Sequence, residues 1–350
     1  MLGTPSSPVA TSRWQRFRQR PQSVSHWLNG LAIGLFLAWL AGRLLGRFYF
    51  FELFTHFQTQ YFGLATILVL ANVLSLLVLG KKSLAGFTVI PFLVFLGVKG
   101  FEYPIWVAGD YDPDELPLAA DVRIFHANVL YSRTDYAPTL SLIHQQRPDI
   151  YVLQEMTPAS IRLVTRELSR EYPYWFACWS KGPCWVLAGS RNPIRVDQPL
   201  ARTQRIIAGT TQVRGRTIGL VTVHPRTPLL PSWFQERNAQ LTNAAQRTRS
   251  QALPTVLVGD FNISVFSPLY KTIFRPVERT SERPPVEKPG NLRPARRSLT
   301  QPTWPRFFPP MMIPIDHVFT NAGFRPFLFH TLPHPGSDHR AVVADLSFSR

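Results

Sequence analysis

Between Asp121 and the C-terminus, one short apolar run after another closes on a polar residue, and no other feature of the chain limits its fold as much. The runs DVRIFHANVL, DIYVLQEM, CWVLAGS, TIGLVTVHP, TVLVGDFN, IDHVFTN and HRAVVADLSF read as strands. Segments of helical spacing separate several of them: the region around TLSLIHQQRP, then IRLVTRELSREY, and SWFQERNAQLTNAAQRTRSQ between Pro231 and Pro254. Such alternation predicts an α/β domain with mixed, largely central strands.

The polar residues at the strand ends are the candidates for chemistry. Asn128 follows RIFHA, Glu155 ends DIYVLQE, and His224 ends GLVTVH. Asp260 and Asn262 end VLVGDFN, Asp316 sits in PIDHVF, and Asp338 and His339 precede the last strand in GSDHRAVVADL. One such residue alone is ordinary turn chemistry. Together they carry more weight, because strand ends of a layered α/β fold converge on one rim, where ligands bind. In GDFN, two-residue alternation points Asp260 and Asn262 to the same side and turns Phe261 into the core. By the same rule His126 shares the face of Asn128, near the site or packed against neighbours, while His317 faces away from Asp316 as a structural residue. His334 reads as a loop residue, and Arg237 and Gln240 as a solvated helix face. Trp179, Trp185 and Trp233 read as core or rim, with base stacking as the alternative.

The first hundred residues differ in kind. Apolar runs over about 27–45, 61–79 and 83–99 predict three transmembrane helices after a basic tail at 1–25, with a linker over 101–120. Arg13, Arg16, Arg18 and Arg20 before the first run, and Lys81-Lys82 between the last two, put those segments inside, so three crossings leave the C-terminal domain outside. Arg43 and Arg47 count against that orientation. Lys and Arg number 38 against 21 Asp and Glu, a net +17, which suits an acidic partner, either nucleic acid or an anionic membrane surface. The tail and a Pro/Arg-rich stretch at about 276–310, predicted as a long loop, carry much of that excess. The two cysteines, Cys178 and Cys184, flank a predicted hairpin tip at Lys181-Gly182, either as a disulfide or as two small buried residues.

The ordered set N…QE…H…GDFN…D…SDH resembles the endonuclease/exonuclease/phosphatase superfamily, which includes deoxyribonuclease I, exonuclease III-type endonucleases, neutral sphingomyelinases and inositol polyphosphate 5-phosphatases. TWP at 303–305 followed by PIDHVF resembles its bacterial membrane-anchored branch. The resemblance covers about 121–350 and implies a four-layer α/β sandwich, two packed mixed sheets flanked by helices. It also implies Mg²⁺ or Mn²⁺ on Glu155, Asn128 and Asp338. Asp260 would activate water, Asn262 and His224 would contact the phosphate, and His339 would stabilise developing charge while oriented by Asp316. The implied activity is hydrolysis of a phosphodiester by in-line attack of water, at a multi-pass bacterial plasma membrane and with no obligate protein partner. DNA or RNA stands first as substrate and a phospholipid or sphingomyelin-type headgroup second; a non-catalytic tethered binding module is the reading of another class.

Overall fold

The computed structural model describes residues 13–79, 120–274, 292–296 and 301–349, which fall into two compact units. The first holds residues 1–44 and 58–101, and its described part consists of α1 (Arg13–Leu45), but for its last residue, and α3 (Gln58–Leu79). The expected basic tail is therefore helical from Arg13 onward, continuous with the first apolar run. Among the described residues, no helix is long and apolar enough to cross a membrane. The side chains of α3 from 72 to 79, and the whole third run at 83–99, lie outside the described residues, as does the linker at 101–119. The three expected spans thus rest on sequence alone.

The second unit joins residues 102–350 to Leu45–Phe57, the stretch between α1 and α3 that carries the short α2 (Tyr49–Glu52). Its centre is a pair of mixed six-stranded sheets. The first contains β1 (Val122–Asn128), β2 (Ile150–Met156), β3 (Tyr174–Lys181), β4 (Cys184–Ser190), β11 (Phe324–Leu332) and β12 (Ala341–Phe348), in the order β11-β12-β1-β2-β4-β3. The second contains β5 (Arg195–Val196), β6 (Ile206–Val213), β7 (Arg216–Val223), β8 (Thr255–Asp260), β9 (Arg293–Pro294) and β10 (Asp316–Thr320), in the order β5-β6-β7-β8-β10-β9.

Alternation explains the layers. Val122, Ile124 and Val152 of one sheet meet Leu220, Val256 and Val258 of the other in a common core. Their neighbours Phe125, Tyr151 and Leu153 face outward under α4 (Ala137–Gln146) and α5 (Pro158–Glu167), through Ile143, Ile161 and Val164. On the far side, Val221, Leu257 and Phe261 pack under Leu241, Ala244 and Ala245 of α7 (Pro231–Arg249). Two further helices, α6 (Gln198–Gln204) and α8 (Pro268–Phe274), complete the described helices of this unit. Helix, sheet, sheet and helix make the expected four layers.

One expectation needs correction, and one that stood open between two alternatives is decided. The Pro/Arg-rich stretch is not wholly a loop: β9 extends the second sheet, and Trp304 bridges to Ile313. The β3–β4 hairpin does turn at the expected tip, but its register sets Cys178 opposite Val186 and Cys184 opposite Lys181. Both thiols are free and buried, and Cys178 donates to the Ala201 carbonyl at 3.0 Å. Burial pushes each up to about 11, so they are inert thiols.

Candidate active site

Sheet register alone brings the strand-end residues to one edge. β1 and β2 run parallel with Asn128 opposite Gln154, so Asn128 and Glu155 leave the sheet together. β7 and β8 are also parallel, with Thr222 opposite Val258, which sets His224 level with Asp260. β10 returns antiparallel with Asp316 opposite Asp260. β12 is antiparallel to β1, so Asp338 and His339, just before it, arrive at the same rim.

Local backbone features then aim the side chains. A register shift between Gln154 and Met156 puts Glu155 at φ 60, re-aiming it as bulges do. Gln154 crosses to the other sheet, donating to the Val223 carbonyl at 3.0 Å and accepting from the Asp260 amide at 2.8 Å. The glycine of GDFN is explained by this crossing. A Cβ on Gly259 would lie 2.5 Å from the Val223 carbonyl oxygen and 2.7 Å from Gln154 Nε2. Past Asp260, Asn262 takes φ 50, which asparagine tolerates, and its amide donates to Asp260 Oδ1 at 3.0 Å. The turn, rather than simple strand alternation, brings both side chains to the cleft; Phe261 does enter the core, as expected.

The carboxylates and imidazoles form a connected array. His126 Nε2 and His339 Nδ1 each lie 2.9 Å from an oxygen of the wholly buried Asp316. Burial would raise the Asp316 carboxyl, but His339 and His126 hold it well below the usual carboxylate range. Burial alone would likewise discharge His339; Asp316, helped by Asp260 and Asp338, outweighs it and lifts the imidazole to about 10. His339 is therefore a fixed cation at neutral pH, with Nε2 3.7 Å from Asp260 Oδ2. Asp260 is lowered too, since His224 and His339 offset its burial. Asn128 Nδ2 lies 3.2 Å from both Glu155 Oε1 and Asp260 Oδ2, spanning the two sheets.

His224 stands apart. Its Nε2 is 3.6 Å from Asp260 Oδ2 and 3.8 Å from Glu155 Oε1, longer than hydrogen bonds, and neither ring nitrogen has a partner. Burial, with the Lys181 charge, pushes it down against the pull of the carboxylates. Asn262 donates to the Pro225 carbonyl and accepts from Thr227, both at 3.2 Å. Asp338 accepts from the Trp304 indole at 2.9 Å, which gives the TWP motif a place in the site. The array opens into a cleft of about 380 Å³ whose polar lining includes Glu155, Asp260, Asn262, Asp338 and His339.

Other sequence assignments divide. His317 is structural, donating to the Ile263 carbonyl at 2.8 Å and held neutral, at about 3, chiefly by burial. His334 is buried against Thr139 and Arg133. Trp185 packs under the first sheet, while Trp179 is exposed beneath the Arg205 guanidinium. His126 belongs to the array through Asp316, a role that alternation placed near but did not assign. Arg237 and Gln240 are not a solvated face. Gln240 is buried and donates to the Gln204 carbonyl; Arg237 is fully buried, bonding Glu52 at 2.9 Å and the Asn262 carbonyl at 2.8 Å. Glu52 and His56, which the sequence did not mark, reach this site from the stretch between α1 and α3.

A model of the endonuclease/exonuclease/phosphatase family matches residues 125–339. The chain belongs to this family. No curated protein sequence matches it. Among solved structures, an endonuclease/exonuclease/phosphatase from Beutenbergia cavernae is similar at 18% identity and a TM-score of 0.50, over 66% of this chain and 72% of that one. A humanised D. rerio TDP2 is similar at 15% identity and a TM-score of 0.51, over 65% and 98%. D. rerio TDP2 complexed with single strand DNA product gives 16% and 0.50, over 65% and 98%. At these identities the likeness is one of fold.

Enzymes of the endonuclease/exonuclease/phosphatase family hydrolyse phosphoester bonds and generally use divalent metals. Asp260, Asp316 and His339 lie close enough together to suggest a cation site. The geometry argues otherwise, because Asp316 spends both oxygens on histidines and a protonated His339 has no lone pair to give. Glu155 and Asp338, carboxylates on the cleft wall, are the oxygen donors a hard cation prefers, and Asn128 lies beside Glu155 with its Nδ2 toward that carboxylate and its Oδ1 accepting from the Leu130 amide.

Proposed function

We propose that this chain is a membrane-anchored phosphodiesterase, dependent on Mg²⁺ or Mn²⁺, whose catalytic domain lies outside the cytoplasm. The observation that carries the chemistry is the buried His339 cation held between Asp316 and Asp260 at the cleft floor. A fixed positive group in a water-poor site stabilises charge that grows on phosphoryl oxygens. Asp260, kept ionised, orients a water and takes its proton as the water oxygen attacks phosphorus. The bond to the leaving oxygen breaks in line with that attack, and the leaving oxygen is protonated from solvent. His224, whose ring nitrogens have no hydrogen-bond partner beside Asp260 and Glu155, would hydrogen-bond the phosphoryl group, and Asn262, which lines the cleft, would contact it as well. Asp316 fixes the ring orientation of His339, and His126 fixes Asp316. Glu155, Asn128 and Asp338 would hold the cation, which when bound neutralises substrate charge as a Lewis acid.

The anchor rests on the apolar runs, and chain topology adds an argument. Leu45–Phe57 packs within the catalytic unit, so in an anchored chain it would share a side of the membrane with residues 120–350. If α1 and α3 both cross, an even number of crossings must follow residue 57. The apolar run at 83–99 supplies the second of these. The test is release of product from a soluble aryl phosphodiester by the full chain in detergent. Cleavage that needs Mg²⁺ or Mn²⁺, stops with EDTA and is lost in Asp260→Ala supports the reading. A wild type silent with every metal would leave the binding-module reading in its place.

A further inference from the structure

The cleft walls are of a different chemistry from its floor. Around the polar floor stand Leu53, Phe57, Leu229, Trp304, Ile313 and Ile315. Two of these come from Leu45–Phe57, the stretch that connects the first two apolar helices. It is fixed in place by contacts more deliberate than packing. Glu52 pairs with Arg237 at 2.9 Å with both side chains wholly buried, and Ser267 donates to the same carboxylate at 2.7 Å. His56 Nδ1 lies 2.9 Å from the Ser264 hydroxyl, just past GDFN. Arg237 also donates to the carbonyl of Asn262, so the apolar wall is tied directly to the catalytic loop.

The rim outside this wall is apolar as well. Phe48 and Phe50 are 65% and 59% exposed, Leu229 64% and Phe307 73%. These are not scattered singly. Tyr49, between the two phenylalanines, donates to the Leu229 carbonyl. On the Trp304 side, Arg306 donates to the carbonyls of Asp338 and Ser337, which holds Phe307 beside the site. Exposed apolar surface grouped at a cleft mouth marks a place where an apolar partner is met. Arg13, Arg16, Arg18 and Arg20 of α1 and the Pro/Arg-rich stretch carry less than half of the net +17, but no lysine or arginine is among the described residues that line the cleft.

We infer that the substrate is a phosphoester carried on a lipid, its phosphate on the His339–Asp260 floor and its apolar part between Leu53 and Phe57 on one wall and Trp304 and Ile313 on the other. This rests on the hydrolase reading above. In sequence the stretch Leu45–Phe57 directly follows the first apolar run and directly precedes the second, so in an anchored chain the residues of this wall are only a few positions from the membrane. Phe57 and Trp304 would also suit a base, but a nucleotide backbone would meet no lysine or arginine among the described residues lining the cleft and would gain nothing from Leu53 and Ile313.

The experiment uses the full chain in detergent with Mg²⁺. It compares kcat/KM for a short-chain phosphatidylglycerol, for glycerophosphoglycerol, which is the same diester without acyl chains, and for a single-stranded oligonucleotide. The acylated diester should be favoured at least ~10-fold over its deacylated form, the discrimination an apolar pocket gives for added methylenes. Leu53→Glu should reduce that ratio toward one. Because Leu53 is half-buried, the exposed pair Phe307→Ser and Phe308→Ser serves as a second variant, expected to lower the ratio through KM. Equal rates on both diesters, or faster cleavage of the oligonucleotide, would overturn the lipid assignment while leaving a hydrolase. No cleavage of any of these, nor of an aryl phosphodiester, would remove both readings.

Discussion

Two buried ion pairs border the cleft, one on its floor and one behind its wall, and they reach their places by different routes. Asp316 and His339 are 23 positions apart and sit at ends of β10 and β12, where sheet register delivers them to the rim. Glu52 and Arg237 are 185 positions apart and join a short helix between α1 and α3 to the outer helix of the second sheet. The first pair faces the cleft and leaves Nε2 of His339 toward Asp260. The second faces nothing but protein, and its guanidinium serves the backbone of Asn262 from behind. A buried charge pair is weak ground for stability, because desolvation offsets most of the attraction, yet removing one partner is costly. The two pairs should therefore fail differently when broken.

The largest effect is expected on the floor. His339→Ala should lower kcat by roughly 10³-fold, the range seen when a preorganised donor at developing charge is removed. Steady-state cleavage of an aryl phosphodiester by the full chain measures it. Asp316 retains His126, so some of its compensation survives. A variant keeping more than a tenth of wild-type kcat would show that the cation is not part of the chemistry, and the contrast between the two pairs would collapse.

Behind the wall, Glu52→Ala should act first on stability. It leaves Arg237 buried and unpaired, which costs ~3–5 kcal/mol. Urea unfolding followed by tryptophan fluorescence reads this as a lower midpoint at unchanged slope. The double variant Glu52→Ala with Arg237→Met should recover much of the loss, since no charge then remains buried. Recovery of stability without recovery of kcat would sharpen the comparison, by separating the fold's need for the pair from the hold on Asn262. No recovery at all would mean that the pair contributes through packing rather than charge.

The floor was legible in the sequence and the wall was not, for physical reasons. Asn128, Glu155, His224, Asp260 and Asp316 each end or begin an apolar strand, and a buried strand end is a costly place for a polar group without a task. The four layers followed from the same alternation. Gln154 was passed over because an amide inside LQE gives no sign that it will span two sheets. Arg237 was misassigned because α7 is polar along much of its length, with Glu236, Asn238 and Gln240 around it, and a single buried arginine adds no periodic signal. Its partner lies in YFFELFTH, between two runs that read only as membrane-spanning. Local pattern reports which face of an element is buried; a contact across 185 positions is decided by packing that no window contains.

The smallest effect, and the one that best isolates the wall, is its pH dependence. Burial alone would raise the Glu52 carboxyl, but His56 and Arg237 outweigh it and bring it from 4.5 to about 2. A group depressed in the folded state contributes stability that is fully present above its unfolded value and is lost as pH falls through the folded one. The window is therefore pH 4.5 down to about 2. By linkage, a depression of this size corresponds to about 3 kcal/mol, acquired progressively as the carboxyl ionises. In Glu52→Gln that slope should vanish over the same interval, while the contribution of Asp316, also depressed, remains in both proteins. Unfolding midpoints of wild type and variant between pH 2 and 6 make the comparison. The curves should lie together near pH 2, draw apart up to pH 4.5 and keep the full gap above it; curves parallel between pH 2 and 4.5 would show that Glu52 is not ionised against Arg237, and the buried pair behind the wall would have to be redrawn as a neutral hydrogen bond.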